Sequence, residues 1–354
     1  MPVRNASELV SINVQPPRRT RKALSPGKDS PHIIRSLPVL VLNTHSRCNC
    51  RCVMCDIWKI AEARNLGVAD LLPHVESIRK LGVRWVVLSG GEPLMNPGLW
   101  PLCRMLREEG IRITLLSTGL LFEKHASLIA ENVDEAIVSL DGPAEVHDSI
   151  RRVKGAFEQM RDGIAAVRRH RASFPVSGRM TVQCANFRTL RQTVAAAKSL
   201  GLDSISFLAA DLTSQAFNRE IPWDQKGQEL IALDAHEIHI LEVELKALVE
   251  ECALEIRNGF VREGREKLLR IARHFRAHLG MCEPEAPLCN APWVSAVVEV
   301  DGAVRPCFFH PAVGNLRDGE LEEIVNGEAA IRFREKLQVA ENAVCQRCVC
   351  SLNL

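Results

Sequence analysis

The sequence predicts an α/β protein, a partial (β/α)6 TIM-like barrel followed by a small α+β C-terminal section. Three observations carry this. Between residues 37 and 210, six short apolar runs alternate with amphipathic stretches of helical spacing. The runs are apolar on both faces, as strands of a parallel sheet covered by helices are. Beyond residue 280 the pattern changes to a hairpin signal, a helical stretch and closely spaced cysteines.

Residues 1–36 are rich in Pro, Arg, Ser and Lys, lack sustained periodicity and read as a flexible arm. Strands are then expected at Leu37–Leu42, Trp85–Leu88, Ile111–Leu116, Ala136–Leu140, Met180–Gln183 and Ser204–Leu208. Helices are expected at about Val68–Leu81, Leu99–Glu109, Glu123–Glu131, Phe157–Arg169 and Leu190–Leu200. Six units are fewer than the eight of a closed barrel, so residues 37–210 read as an open or partial one. Its active site belongs at the C-terminal ends of the strands. Residues 211–280 form a linking region: a polar stretch, Asp211–Gln228, then helical stretches at Leu230–Leu254 and Val261–Leu279. In residues 281–354, Trp293–Val300 alternates, Asp301-Gly302 turns and Ala303–Pro306 returns. A helical stretch at Leu321–Leu337 leads into the last cysteines.

With 354 residues, 46% hydrophobic, the chain can bury a sizeable core. A formal net charge of +2 gives no support for a nucleic-acid surface. No apolar run approaches membrane-spanning length and no export signal is seen, so a soluble, cytoplasmic protein is expected. Thirteen cysteines in such a setting read as metal ligands or catalytic thiols rather than disulfides. Tyrosine is absent, so any radical relay or acid–base step must use another residue type.

The cysteines cluster. Cys48, Cys52 and Cys55 form C-x3-C-x2-C just after the first expected strand. Three thiolates on one loop can each bind one iron of a cubane and leave the fourth iron open. An open iron can chelate the amino and carboxylate groups of S-adenosylmethionine (SAM) and deliver an electron to its sulfonium. The competing reading is zinc, for which Cys50 could complete a four-ligand set. The second expected strand ends in Ser89-Gly90-Gly91-Glu92-Pro93, where glycines permit close backbone approach to a ligand and a carboxylate could accept from an ammonium group. The fourth ends in Ser139-Leu140-Asp141-Gly142-Pro143, followed by Glu145, His147, Asp148 and Arg151.

In this order the motifs resemble the radical SAM superfamily over roughly residues 37–210. The resemblance implies that Cys48, Cys52 and Cys55 hold a SAM-binding [4Fe–4S] cluster, with Cys50 a bystander. It implies that Gly90, Gly91, Glu92 and Pro93 contact the SAM amino group. It also implies that Ser139, Asp141 and Arg151 line the SAM and substrate side. A flavodoxin- or ferredoxin-type reductant is the implied partner. Two positions depart from the family pattern: Met54 stands where an aromatic is usual, and Ser117-Thr118-Gly119 where Thr-Asn-Gly is common.

Cys289, seventeen residues and Cys307, with Cys345-x2-Cys348 further on, suit a fully ligated cluster or a zinc. This section resembles the SPASM/twitch extension of radical SAM enzymes. In its shorter twitch form it implies one auxiliary [4Fe–4S] cluster held by these four thiols, with Cys282 and Cys350 as alternates. The chain's end soon after Cys350 favours the one-cluster form. Such a cluster permits either a two-electron oxidation or an epimerisation. Phe308 stands where some relatives carry an Asp base, and His310 is nearby. Cys184, at the end of the fifth expected strand, is a candidate hydrogen donor to a substrate radical; a buried structural cysteine is the alternative. Cys103 and Cys252 read as core. The short polar arm leaves no room for a leader-binding domain. The expected substrate is therefore a small molecule, such as an amino sugar or aminocyclitol, with peptide maturation as the alternative.

Overall fold

The structure, a computed structural model, describes residues 30–217 and 222–354. The expected flexible arm thus lies outside the described residues up to position 29. The remainder is not loose: Ile34 exchanges two backbone hydrogen bonds with the Asn326 side chain (2.7 and 2.9 Å), and Arg334 donates to the His32 carbonyl.

Six parallel strands follow in sequence order: β1 (Val39–His45), β2 (Trp85–Gly90), β3 (Arg112–Ser117), β4 (Glu135–Ser139), β5 (Val176–Val182) and β6 (Ser204–Ala209). Each expected strand is present, with ends displaced by at most four residues. The displacement is largest in β5. Its Ser177 and Arg179 interrupt the apolar run, yet they occupy the half-exposed side of a strict alternation in which Val176, Gly178, Met180 and Val182 are buried. The buried side lies under helices. In Ala156–His170, for example, Phe157, Met160, Ile164 and Val167 form one apolar stripe. The half-exposed side faces the barrel lumen.

The helical expectations hold with local breaks. Val68–Leu81 is interrupted by a 3-10 turn at Leu72–His74, where Pro73 sits. The stretch from 230 starts as a helix only at Ala235, because Asp234 and Glu237 form a capping box. Leu321–Leu337 divides at Asn326-Gly327, where Asn326 is engaged with Ile34. The helix Ala144–Arg151, not anticipated by periodicity, carries His147 and Arg151.

The hairpin does not stand apart from the barrel. After a short helix, Ala291–Val294, β7 (Ser295–Val298) pairs in parallel with β1, from Val39 opposite Ser295 to Leu42 opposite Val298. Then β8 (Ala303–Arg305) and β9 (Gly314–Asn315) continue antiparallel, giving the order β6-β5-β4-β3-β2-β1-β7-β8-β9. One sheet therefore runs through both cysteine-bearing sections. Among the described residues no helix is long and apolar enough to cross a membrane.

Candidate active site

The cysteine loop after β1 is fastened by the segments that follow each of the other five barrel strands. From the β2 end, Gly91 N–H donates to the His45 carbonyl (2.7 Å) and Glu92 N–H to that of Arg47 (2.8 Å). After β3, the Thr118 hydroxyl lies 3.1 Å from Asn49 Oδ1. After β4, the Arg151 carbonyl accepts from Arg51 N–H (3.1 Å), and its guanidinium donates to Cys52 Sγ (3.4 Å). After β5, Gln183 donates to Met54 Sδ (3.4 Å). The polar stretch after β6 also reaches the loop, through Trp223 to Asp56 (2.7 Å).

This changes the reading of the glycines. At Gly90 φ is +118°, and an added Cβ would lie 2.7 Å from the His45 carbonyl; at Gly91 it would overlap the Arg47 carbonyl oxygen. The two glycines admit the root of the cysteine loop, not primarily a ligand. The Glu92 side chain is fully buried and accepts from Leu94 N–H, the Ser117 hydroxyl, and Thr118 N–H and hydroxyl, all within 3.1 Å. Burial pushes its pKa up against those bonds. Its carboxylate ties β2 to β3. Pro93 is buried too.

Asp141 is likewise buried and forms an ion pair with Arg151 (2.5 Å), while accepting from Thr181 N–H. Arg151 thus spans from the β4 loop to the Cys52 sulfur. Cys50, 1% exposed, supplies a hydrogen bond to each of its neighbours. That bond lowers Cys48, and with the Arg151 charge it holds Cys52 at about 6 against the opposing effect of burial. Cys50 itself is pushed far up by its hydrogen bonds to Cys48 and Cys52 and by burial. Cys55 is half-buried on the same loop. Ser139 falls on the lumen side of β4, two residues from the cavity-lining Ile137.

The second thiol group lies at the opposite ends of the strands. A cavity of about 1160 Å³, part of it open to solvent, is walled by lumen-facing residues of the sheet, among them Val41, Val87, Leu116 and Ile137. Cys289, Cys307, Cys345, Cys348 and Cys350 all line it. From Val41 to His45, β1 covers about 13 Å at ~3.3 Å per residue, so the lumen separates this group from the cysteine loop. Asn342 caps the turn bearing Cys345, and Asn290 binds the backbone of Leu352 and Leu354, which folds the terminal segment against Cys289. Burial drives Cys307 up to about 12 and Cys345 to about 11, and raises Cys348 and Cys350. Of the two alternates, Cys350 is at the cavity; Cys282 instead approaches the Arg273 carbonyl. His310 is buried, 3.4 Å from Cys345 Sγ and edge-on to Phe333.

Cys184 is not brought to the site. Its thiol donates to the Leu230 carbonyl (3.0 Å) and its N–H to that of Ile231, beside the helix Ala235–Glu251. At this strand end Gln183 turns toward the cysteine loop instead. Sequence reasoning missed Ser117, Thr118 and Gln183, whose only signal was position at strand ends, and Asn49 within the cysteine loop.

The donor chemistry fits iron–sulfur clusters. Among the described residues no three His, Cys, Asp or Glu side chains converge as ligands of one metal ion. Cys289, Cys307, Cys345, Cys348 and Cys350 line one cavity, and Cys48, Cys52 and Cys55 share one loop. His45 Nε2 and Gln183 Oε1, near the cysteine loop, are buried without a hydrogen-bond partner, as groups kept for a ligand are.

The comparisons with known proteins agree with this architecture. The family description "Radical SAM superfamily" matches residues 42–207, and "Iron-sulfur cluster-binding domain" (SPASM) matches residues 289–349. The chain belongs to the radical SAM superfamily. It carries a C-terminal SPASM domain, and the two together imply a SAM-binding [4Fe–4S] cluster, auxiliary cluster binding and SAM. It is 29% identical over 307 residues to the AdoMet-dependent heme synthase of Methanosarcina barkeri, covering 81% of this chain and 82% of that one. It is 25% identical over 366 residues to the Fe-coproporphyrin III synthase of the same organism, covering 97% and 89%. The structure of Streptococcus suis SuiB bound to S-adenosylmethionine matches with a TM-score of 0.62 at 12% identity, covering 90% of this chain and 74% of SuiB. SuiB bound to its precursor peptide SuiA matches with a TM-score of 0.61 at 13% identity, covering 96% and 80%. Likeness at that identity speaks for the fold alone.

Proposed function

We propose that this radical SAM protein oxidises a small molecule held in its barrel lumen, with Cys48, Cys52 and Cys55 holding the SAM-binding cluster and Cys289, Cys307, Cys345 and Cys348 an auxiliary one. The observation that carries this reading is the lumen cavity, walled by the strands and lined at one end by Cys289, Cys307, Cys345 and Cys348, with the cysteine loop following β1 at the other end of the strands. When bound, the clusters and SAM supply a 5′-deoxyadenosyl radical and an acceptor for the electron left on the substrate. A flavodoxin- or ferredoxin-type protein is the proposed reductant.

The chain's own residues have four tasks. Arg151 holds Cys52 in its ionised form while Asp141 holds Arg151. The Gly90–Glu92 backbone fixes the cysteine loop and presents its remaining polar groups to the SAM amine. Ser139 faces the reacting volume from β4. Val41, Val87, Leu116 and Ile137 keep water from a radical substrate. Oxidation is favoured over epimerisation because Cys184, the candidate donor, is bonded to Leu230 outside the lumen.

Two of the relatives spanning most of the chain are named for heme and Fe-coproporphyrin III synthesis, while two others are named for GTP 3',8-cyclisation and subtilosin biosynthesis. The first pair moves the first substrate to test from an amino sugar or aminocyclitol to an iron porphyrin. A peptide is the second reading, favoured by the 24% identity over 293 residues to the subtilosin biosynthesis protein AlbA of Bacillus subtilis. The test is anaerobic SAM cleavage by the reconstituted protein, with deuterium transfer into 5′-deoxyadenosine from labelled iron porphyrins, aminocyclitols and peptides in parallel. A Cys48/Cys52/Cys55 triple alanine variant should make no 5′-deoxyadenosine yet retain auxiliary iron. Continued cleavage by that variant ends the assignment, and transfer from a peptide alone replaces the small-molecule reading.

A further inference from the structure

Beside β6, which forms one edge of the sheet, lies a second cavity of about 1030 Å³, part of it open to solvent, lined by the helix Arg265–His278 and the C-terminal segment. It adjoins the lumen, since Arg179, Cys348 and Cys350 wall both spaces. Its lining is basic. Lys267 and Arg270 face it from one side of the helix, and Arg179 reaches it from the lumen side of β5. The carboxylates lining it are few: Glu285 is taken by Arg273 (3.2 Å), and Glu263 is fully buried, bonded to Phe207 N–H, with its charge disfavoured by burial. Among the described residues, Arg179 bonds only to the Ser206 hydroxyl (3.3 Å) and Arg270 only to the Glu285 carbonyl (3.0 Å). Half-buried guanidiniums spending their donors on neutral acceptors are stabilised by an anion that enters.

We infer that this cavity binds carboxylate groups of the substrate, with Arg179 and Arg270 gripping them while the substrate's body lies in the lumen. The inference deepens the small-molecule reading above and rests on it. Two guanidiniums on separate elements suit two singly charged carboxylates better than one phosphate. An apolar lumen joined to a basic side cavity suits an amphiphile with a hydrophobic body and acidic arms.

The test is equilibrium binding to the reconstituted holoenzyme, wild type and the Arg179→Gln and Arg270→Gln variants. Three probes are used: hemin, hemin dimethyl ester and benzene-1,2,4,5-tetracarboxylate. Iron content and circular dichroism confirm that the variants are folded and loaded. Hemin and the tetracarboxylate should each lose about tenfold or more in affinity in either variant, as for loss of a charge-assisted hydrogen bond. Hemin dimethyl ester should bind wild type and variants alike. If the tetracarboxylate binds in this pattern and hemin does not bind, the cavity assignment stands and the porphyrin reading falls. If hemin binds equally to all three proteins, the porphyrin reading survives and the cavity assignment is wrong. Binding of neither probe overturns both. A variant that moves the auxiliary cluster's potential without changing either affinity assigns the cations to the cluster and overturns the inference.

Discussion

Replacing Arg151 by Gln tests the link between the β4 loop and the cysteine loop. Asp141 has no solvent exposure and the Arg151 side chain only 9%, so their 2.5 Å ion pair is barely screened by solvent. Removing the guanidinium leaves a buried carboxylate whose remaining support includes the Thr181 N–H at 3.2 Å. Breaking a buried pair from one side costs roughly 3–5 kcal/mol. The Thr181 bond places the expectation near the lower end, at about 3 kcal/mol. The same change removes the donor to Cys52 Sγ and raises that thiol's pKa from about 6. The assay has two parts. Anaerobic chemical denaturation of the apo-protein gives the stability loss, and iron counting after reconstitution gives retention at the N-terminal site. Asp141→Asn in the Arg151→Gln background removes the stranded charge and should restore part of the stability, a coupling of at least about 1 kcal/mol in a double-mutant cycle. A single-variant loss under about 1 kcal/mol, or a cycle additive within about 0.5 kcal/mol, refutes the reasoning.

Three further predictions follow from the same geometry. Gly91→Ala forces a methyl group into the Arg47 carbonyl, so stability should fall by about 1–3 kcal/mol with loss of iron at the cysteine loop, whereas Gly67→Ala meets nothing and should retain both; equal iron counts would contradict this. His147 and His274 titrate at about 4 in the folded chain against an ordinary 6.5, lowered chiefly by burial. Above 6.5 neither state carries the charge and the contribution is complete; as pH falls from 6.5 through 4 the unfolded chain gains protons first, and stability should drop by up to about 3 kcal/mol per ring. A His274→Gln variant whose acid transition matches wild type would show that this ring is not involved. Cys184→Ala removes one hydrogen bond to Leu230 and should cost under about 1.5 kcal/mol with no change in products; an altered product ratio would restore a donor role to this thiol.

Much of the local structure was legible because strands and helices announce themselves by period. Buried helix faces and strand sides need apolar residues at fixed spacing, and those are visible without coordinates. What escaped was polar. Arg179 reads as an interruption in a strand, yet it faces the lumen because alternation puts it there. Ala144–Arg151 is too short and too charged for a periodic signal, so the helix carrying Arg151 went unseen. The packing of Gly91 against Arg47 and the bond of Glu92 to Thr118 join residues distant in sequence, so no local pattern shows them.

By itself the sequence determined the chemistry on offer. Cysteine spacing is a property of the chain, and three thiols within eight residues must share a loop wherever that loop goes. The order of barrel units was likewise written in the alternation. Only the tertiary structure decided how these parts face one another. The β1–β7 pairing brings the last cysteines under the lumen, a buried ion pair aims Arg151 at Cys52, and the strand end turns Gln183 rather than Cys184 toward the cysteine loop. Each is a contact between residues far apart in the chain, set by strand register and burial, which local pattern does not encode.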